Sequence, residues 1–257
     1  MSKRQGDWRS LSRIRKVRTL SYTPASYVPV ASAPAIYRRR GRQSCWKNRP
    51  RNQKPYGFKR GLGIPYGCEG PCKVQSFDTL VDVPDTGSVT RISNVERGIG
   101  LTHRTGRRFC IKSVFFTGKV WMGDEVSKRA HTNIVMFWLV RDRRPEFAPL
   151  EFGKVFNMFD NEPVTATITA DMRDRFQVLR RWSASVTGGT YAHREQIYVS
   201  RFFKGLNHRV TYNHQDQPIY ENHTDNALFL YMACTHASNP VYCTMKARVY
   251  FYDSYYN

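Results

Sequence analysis

Short runs of alternating apolar and polar residues fill the last three quarters of this 257-residue chain. Between residues 107 and 121, Phe109, Ile111 and Phe115 alternate with other residues, as apolar residues do in a strand that buries one face. Residues 134–140 are apolar throughout, and such a run indicates a strand buried on both faces. Gly and Pro turn signals separate many of these runs, so the pattern predicts strands joined by short connections.

The same pattern continues along the chain and predicts about eight strands with few credible helices. The nine candidate ranges from which these strands come are residues 74–83, 88–95, 107–121, 131–141, 173–186, 196–203, 208–212, 227–235 and 241–252. Residues 152–160 fit either a short helix or a loop, and residues 165–170 fit either a strand or the start of a helix. Strands of this number and spacing, without an internal repeat, predict an all-β fold: an eight-stranded antiparallel jelly-roll sandwich.

The first sixty residues break this pattern because positive charge dominates them. They hold 17 Lys and Arg against the single acid Asp7, which gives +16 of the chain's net charge of +21. A block that repels itself and has little apolar surface does not offset the entropy of ordering. We therefore predict two parts: a basic arm at residues 1–60, disordered or partly ordered, and a folded body at residues 61–257.

The basic residues of the arm form clusters separated by a proline-containing spacer, residues 21–36. The first cluster has the two-part spacing of a nuclear localisation signal and consists of Lys3, Arg4, Arg13, Arg15, Lys16 and Arg18. The next consists of Arg38, Arg39, Arg40 and Arg42. A basic tail that contacts nucleic acid without specificity is the alternative reading, and the two are compatible.

Aromatic residues are interleaved with cations in the last part of the arm, residues 45–60. This mixture is typical of single-stranded nucleic acid binding, because cations follow the phosphates while ring faces stack on exposed bases. The alternative is that the rings only anchor the arm to the body. The predicted DNA-binding residues are Arg38, Arg39, Arg40, Arg42, Trp46, Lys47, Arg49, Arg51, Lys54, Tyr56, Phe58, Lys59 and Arg60 in the arm, and Arg104, Arg107 and Arg108 in the body.

The cysteines indicate neither a disulfide framework nor a metal site. Cys68 and Cys72 have the spacing of half a zinc site, but no second pair of ligands follows at a suitable distance, so no metal and no other cofactor is predicted. Residues 237–240 read as the turn of a C-terminal hairpin that places Cys234 opposite Cys243. We expect both of these to be free, mostly buried thiols, because nothing in the sequence predicts secretion.

The chain also lacks the motifs of several large functional classes. No apolar run approaches the roughly 18 residues that span a bilayer, so no membrane association is predicted. Nucleophile elbows, zinc-protease helices and phosphate-binding loops are absent, and the seven His are scattered. Scattered histidines are usually hydrogen-bonded structural residues, and we therefore predict that the protein is not an enzyme.

Four runs in the body resemble the coat proteins of geminiviruses, and the begomovirus type most closely. They span residues 68–76, 137–145, 155–163 and 230–242, and the ending at residues 249–254 fits as well. The likeness covers residues 61–257 almost continuously. The arm is similar in composition and in a few residues, such as Trp46 and Asn48-Arg49-Pro50.

This resemblance implies a jelly-roll capsid subunit that packages circular single-stranded DNA in twinned, incomplete icosahedra. It also implies a virion and host-nucleus location, host nuclear import receptors as partners, and recognition by a receptor of an insect vector. By similarity, residues 3–20 and 35–49 are import signals, and residues 96–117 are an export-signal candidate that fits a strand equally well. Some relatives have a zinc finger whose two histidines fall near Val81 and Asp85 here, so the resemblance adds no metal.

Three functions are compatible with a basic arm on a folded body. The first is a structural capsid subunit. The second is a nuclear shuttle-type carrier that binds single-stranded DNA and builds no shell. The third is a DNA-processing enzyme, which the missing catalytic motifs disfavour. Particles seen by electron microscopy separate the first function from the other two.

Overall fold

The computed structural model describes residues 63–128, 130–189, 196–237 and 241–255, and within them β-strands dominate. The strands are β1 (Cys68–Val83), β2 (Ser88–Arg91), β3 (Arg108–Met122), β4 (Thr132–Asp142), β5 (Phe156–Phe159), β6 (Glu162–Ile168), β7 (Phe176–Thr187), β8 (Gln196–Phe203), β9 (His208–Tyr212), β10 (His223–Asp225), β11 (Ala227–Cys234) and β12 (Val241–Ser254). The helices are single turns, α1 (Asp124–Ser127) and α2 (Phe152–Val155), with 3-10 turns at Ala170–Met172 and Tyr220–Asn222. None of the described helices is long and apolar enough to cross a membrane.

Two antiparallel sheets form the sandwich. The large sheet has the order β1-β12-β3-β9-β10, with β8 also paired to β3, and the small sheet has the order β2-β11-β4-β7. Because β8 and β9 pair with successive lengths of β3, they fill one position of the large sheet between them. With the three-residue strand β10 set aside, the sandwich has eight principal positions, four in each sheet, and successive strands cross between the sheets as in a jelly roll. The predicted all-β jelly-roll fold is confirmed.

The main core lies between the two sheets, and the strands β4 and β11 of the small sheet bury residues on both of their faces. On β11, Leu228 and Leu230 belong to the core between the sheets, whereas Phe229 and Tyr231 belong to a second apolar cluster on the far side of the small sheet. All eight residues of β11 are buried. A continuously apolar strand fits only where both faces are covered, and the prediction for residues 134–140 is confirmed in the same way.

The far side of the small sheet is covered by a segment between β4 and β7 that contains α2 and the two-stranded sheet of β5 and β6. Phe152 and Phe156 stack with ring centroids 4.7 Å apart, and both contact Trp138 of β4. Asp160 and Asn161 turn the chain with φ values of 53° and 52°. Asp and Asn tolerate this left-handed conformation, which a two-residue hairpin turn requires.

The predicted C-terminal hairpin is wrong. β11 belongs to the small sheet and β12 to the large one, so the two strands do not pair with each other. Cys234 lies opposite Val135, whereas Cys243 lies opposite Val81 and Val120. Both are free cysteines buried in the core between the sheets, which agrees with the predicted burial, and residues 238–240 of the predicted turn lie outside the described residues. Alternation identified both strands but carried no information on which sheet each one joins.

Candidate nucleic-acid interface

The structure describes only the body residues among the predicted DNA-binding and nuclear-import positions. Every predicted position in the arm, from Lys3 to Arg60, lies outside the described residues. The arm contacts therefore remain predictions. Of the candidates in the body, Arg104, Arg107 and Arg108 sit in or just after the loop that leads into β3, and the structure separates them into three environments.

Arg104 is not a surface residue, so its prediction as a DNA contact is wrong for the folded body. Its side chain has no exposed surface, and its guanidinium donates to the carbonyl oxygens of Val95, Gly106 and Gln215 at 3.0, 2.8 and 3.1 Å. Each of the three guanidinium nitrogens donates to a carbonyl, and because the side chain is fully buried no donor is exposed for a phosphate. The sequence places Arg104 in a basic segment and does not indicate that its side chain is buried and binds the carbonyl oxygens of surrounding loops.

Arg107 and Arg108 stay accessible. Arg107 is half-buried, and its Nη1 lies 3.2 Å from Nε2 of His214. Arg108 is exposed at the start of β3, where it lies opposite Thr211 of β9. The two accessible cations remain candidates for phosphate contacts, because a guanidinium on a surface can bind a phosphate through two parallel hydrogen bonds.

A cavity of about 270 Å³ adjoins Arg108 and is also lined by Arg209, Cys68 and Cys110. Burial, with a smaller contribution from contact with Cys68, raises the pKa of the Cys110 thiol to about 12. Burial also raises the pKa of Cys68. A thiol that stays protonated is a poor metal ligand. Cys72 is exposed, and within the described residues no three His, Cys, Asp or Glu side chains come together as a metal site would require.

Further cations share one side of the large sheet, and the sequence analysis missed them. We define the outward face as the side of this sheet that points away from the core. On β12, Met245, Ala247 and Val249 belong to the core, so the residues between them point outward. The cations at outward positions are Arg108 and Lys119 on β3, Arg209 on β9, and Lys246 and Arg248 on β12. Lys112 of β3 reaches the same side, with its ammonium nitrogen 5.3 Å from the centre of the Tyr252 ring.

Acidic residues on the outward face are confined to the edges of the sheet. They are Asp78 and Asp82 on the edge strand β1 and Asp225 on the edge strand β10. The described outward positions of β3, β8, β9 and β12 carry no acid. Asp78 contacts Lys246 at 3.2 Å across the β1–β12 pair, but this exposed pair is weak. The middle of the face is therefore positive, a signal visible in the sequence only as Lys246 and Arg248 two residues apart on β12.

Comparison with known proteins agrees with the resemblance seen in the sequence. A model of the geminivirus coat protein/nuclear export factor BR1 family matches residues 18–257. The capsid proteins of Tomato leaf curl virus (strain Australia), Tomato golden mosaic virus (strain Yellow vein) and Indian cassava mosaic virus are 55%, 54% and 56% identical over 259, 260 and 259 residues, and each alignment covers all of both chains. The predicted resemblance to geminivirus coat proteins of the begomovirus type is confirmed.

Two solved virus structures are also similar to this chain in a limited way. One is desmodium yellow mottle tymovirus, with a TM-score of 0.28 and 11% identity over 76% of this chain and 95% of the other. The other is the 60-mer BFDV capsid protein, with a TM-score of 0.30 and 4% identity over 74% of this chain and 96% of the other. Similarity at this level adds nothing to the assignment, which depends on the sequence relatives.

Proposed function

The chain belongs to the geminivirus coat protein/nuclear export factor BR1 family, and from that premise we propose that it is a capsid subunit whose shell encloses single-stranded DNA. The observation that carries this proposal is the full-length match to capsid proteins at 52–56% identity. The matches extend through the basic arm as well as the body, so they include both parts that a packaging subunit needs. The role is structural, and no catalytic step is assigned to the chain.

The division of charge between arm and body supports the same role. The arm carries +16 of the net +21, which leaves only +5 for the 197 residues of the body. Cations in the arm can neutralise packaged phosphates by displacing their counterions. A weakly charged body allows copies to pack closely, since strongly charged bodies would repel one another. A jelly roll with short connections is suited to tile a shell, and such domains form many viral capsids.

Nuclear import of the genome and transmission by an insect vector are further parts of the proposal. The import signals are assigned to the two basic clusters of the arm, with host import receptors as their partners. In this proposal the protein occurs in the virion and in the host nucleus, and the assembled shell carries the surface that a vector receptor recognises. These assignments depend on family membership and on the basic clusters at residues 3–18 and 38–42.

Assembly with DNA tests the proposal directly. Full-length protein, purified free of nucleic acid at high salt, is dialysed to low salt with circular single-stranded DNA and imaged by electron microscopy. We expect closed particles of uniform size, including twinned forms, and none in a parallel sample held at high salt. Subunits that remain monomeric with DNA across salt and pH would contradict a capsid role.

A DNA carrier that builds no shell is the second candidate, because the matched family also includes a nuclear export factor. A basic arm would serve a carrier equally well. Sedimentation separates the two functions: a capsid subunit gives one large species with circular single-stranded DNA, whereas a carrier gives small complexes whose size follows the number of bound copies.

A further inference from the structure

The two outer sides of the sandwich are unlike each other. The outer side of the small sheet is buried under α2, β5 and β6, which form an apolar cluster with it. On the outward face of the large sheet, a buried cluster forms only at one end, where Cys68, Cys110 and Tyr252 meet, and the described residues leave the rings of β8 uncovered. Tyr198 on that face is 72% exposed, and Phe202 is 47% exposed. Large apolar side chains grouped on an uncovered face indicate a surface that contacts a partner.

Aromatic residues on the outward face form two groups, and register explains their positions. In the first group, Trp121 of β3 lies opposite Tyr242 of β12, and their rings stack with centroids 6.0 Å apart and planes 28° apart. Lys119 places its ammonium nitrogen 4.7 Å from the centre of the Trp121 ring. Tyr198 lies opposite Lys119, and its hydroxyl is 2.7 Å from Oγ1 of Thr117.

The second aromatic group lies farther along the same strands. Phe202 of β8 meets Phe115 of β3 and Tyr250 of β12, with ring centroids 6.0 Å apart in both pairs. Lys204 adds an ammonium nitrogen 5.4 Å from the centre of the Phe202 ring. Trp121 is the sixth residue after Phe115, so the two groups lie about 20 Å apart along the strand. Lys246 and Thr117 lie opposite each other between the groups.

We propose that the outward face of the large sheet is a second binding surface for single-stranded DNA, separate from the basic arm. The two aromatic groups stack on unpaired bases, and Lys119, Lys246 and Arg248 contact the phosphates between them. Ring faces that alternate with cations are what a strand-tracking site requires. This inference rests on the proposed function, because it assigns a location on the body to the packaged DNA.

Charge decides between DNA and other occupants of this face. The cations occupy the central strands and the acids occupy the edges, so a polyanion laid along the middle meets positive charge throughout. A second copy of the same face would oppose these cations with identical cations, which is unfavourable. Duplex DNA would use the cations but not the rings, since its base faces are already stacked. A preference for single strands therefore follows from the aromatic groups.

Crosslinking locates the contact. Full-length protein is bound to single-stranded DNA that contains 5-iododeoxyuridine, irradiated, and digested for peptide mapping by mass spectrometry. We expect crosslinks on peptides that contain Trp121, Tyr198 or Phe202, in addition to crosslinks in the arm. Crosslinks confined to residues 1–60 would overturn the inference and leave the proposed function intact. Failure of the unaltered protein to bind single-stranded DNA at all would instead contradict the proposed DNA packaging.

Matched substitutions then measure the contribution of the rings. Tyr198→Ser and Phe202→Ser remove exposed rings from β8, and Leu80→Ser removes an equally exposed apolar side chain from β1 of the same face. We expect the two ring variants together to lower affinity for single-stranded DNA about fivefold or more, with little change in the salt slope, because stacking releases no counterions. Leu80→Ser should leave affinity unchanged.

Two results of these measurements would overturn the inference. One is an equal loss of affinity in Leu80→Ser and the ring variants, since a general loss of apolar surface would then explain it. The other is unchanged DNA affinity in ring variants that no longer assemble, because the face would then be a contact between copies. Thermal unfolding of each variant, compared with the unaltered chain, confirms that the body remains folded in the binding measurement.

Discussion

The guanidinium of Arg104 lies 4.0 Å from the centre of the Tyr212 ring, at the point where two loops meet the end of β9. The Tyr212 hydroxyl donates to the carbonyl of Ser93 at 2.7 Å, while Arg104 donates to Val95 and Gln215. The pair therefore joins the loop after β2 to the loop after β9. A cation over a buried ring is stabilised by the ring's negative face, and more strongly when water is excluded.

Replacing Arg104 by methionine should destabilise the body. The change keeps most of the side-chain volume but leaves three buried carbonyls without their donors, so we expect the free energy of unfolding to fall by about 2–4 kcal/mol. Arg108→Met is the matched control, because Arg108 is exposed. Its effect should stay within about 0.5 kcal/mol. Denaturant unfolding of the two variants makes the comparison, and equal stabilities would contradict the structural role given to Arg104.

Two buried histidines should make the body less stable in mild acid. Burial lowers the pKa of His208 and His223 to about 4, although hydrogen bonds to the carbonyls of Asn226 and of Ile219 and Tyr220 oppose the shift. The unfolded chain, with histidine pKa values near 6.5, binds more protons than the native state between about pH 4 and 6.5. Stability is therefore complete above about pH 6.5 and falls as the pH falls through that window.

Unfolding measured from pH 7 to pH 5 tests this. Each histidine should account for a loss on the order of 2 kcal/mol at pH 5. His208→Gln should reduce the pH dependence whatever it does to stability at pH 7, because it removes one proton-binding group from the unfolded chain. His214→Gln replaces an exposed histidine and serves as the control. A pH dependence that is the same in all three proteins would rule out the buried histidines as its source.

The close approach of β3 and β12 at Gly118 excludes a side chain. A Cβ atom added there would lie 2.1 Å from the backbone oxygen of Thr244, and backbone on paired central strands has little room to move. Gly118→Ala should therefore destabilise the body by about 2 kcal/mol or more. Gly153→Ala in α2 is the control, since nothing lies within 4 Å of the added atom. Thermal unfolding should show a lower midpoint for the first variant and no loss for the second.

The sequence identified most strands of the two sheets but not their faces. Phe109 and Ile111 point into the core, whereas Phe115 points outward. Even spacing in the sequence would place all three side chains on the same face of a regular strand. The reason is a bulge at Lys112: Ser113 lies opposite Tyr250 while Ile111 lies opposite Phe251, so one extra residue on β3 reverses the alternation. A bulge has no pattern of its own in one sequence, and the aromatic groups of the outward face were missed for this reason.

The candidate site was predictable only where charge is dense. The arm can be recognised from the sequence because its high density of charge is visible without knowledge of the fold. Lys119, Lys246 and Arg248, in contrast, come together only through the register between strands. Arg104 illustrates the opposite error, because it follows the same basic composition and yet lies in the interior. Composition predicts what a segment binds when the segment is polar throughout, but burial decides the role of a single cation inside a folded body.

The final prediction concerns the arm, which should dominate the salt dependence of DNA binding. Each phosphate neutralised on a single strand contributes about −0.7 to the slope of log affinity against log salt concentration. Deletion of residues 1–60 removes 17 of the 41 basic residues, so it should abolish most of the slope. The body has its own core between two sheets and should remain folded after the deletion. The measurement is a salt titration of binding to a short single-stranded oligonucleotide.

Deletion of the spacer at residues 21–36 provides a matched control, because that segment contains no Lys or Arg. It shortens the arm without changing its charge, so its slope should equal that of the full chain. The chain without residues 1–60 should still bind weakly, with a shallow slope, through the cations of the outward face. An unchanged slope after the 1–60 deletion would mean that the body supplies the main phosphate contacts. The slope reports the counterions released on binding, and their number would then not depend on the arm.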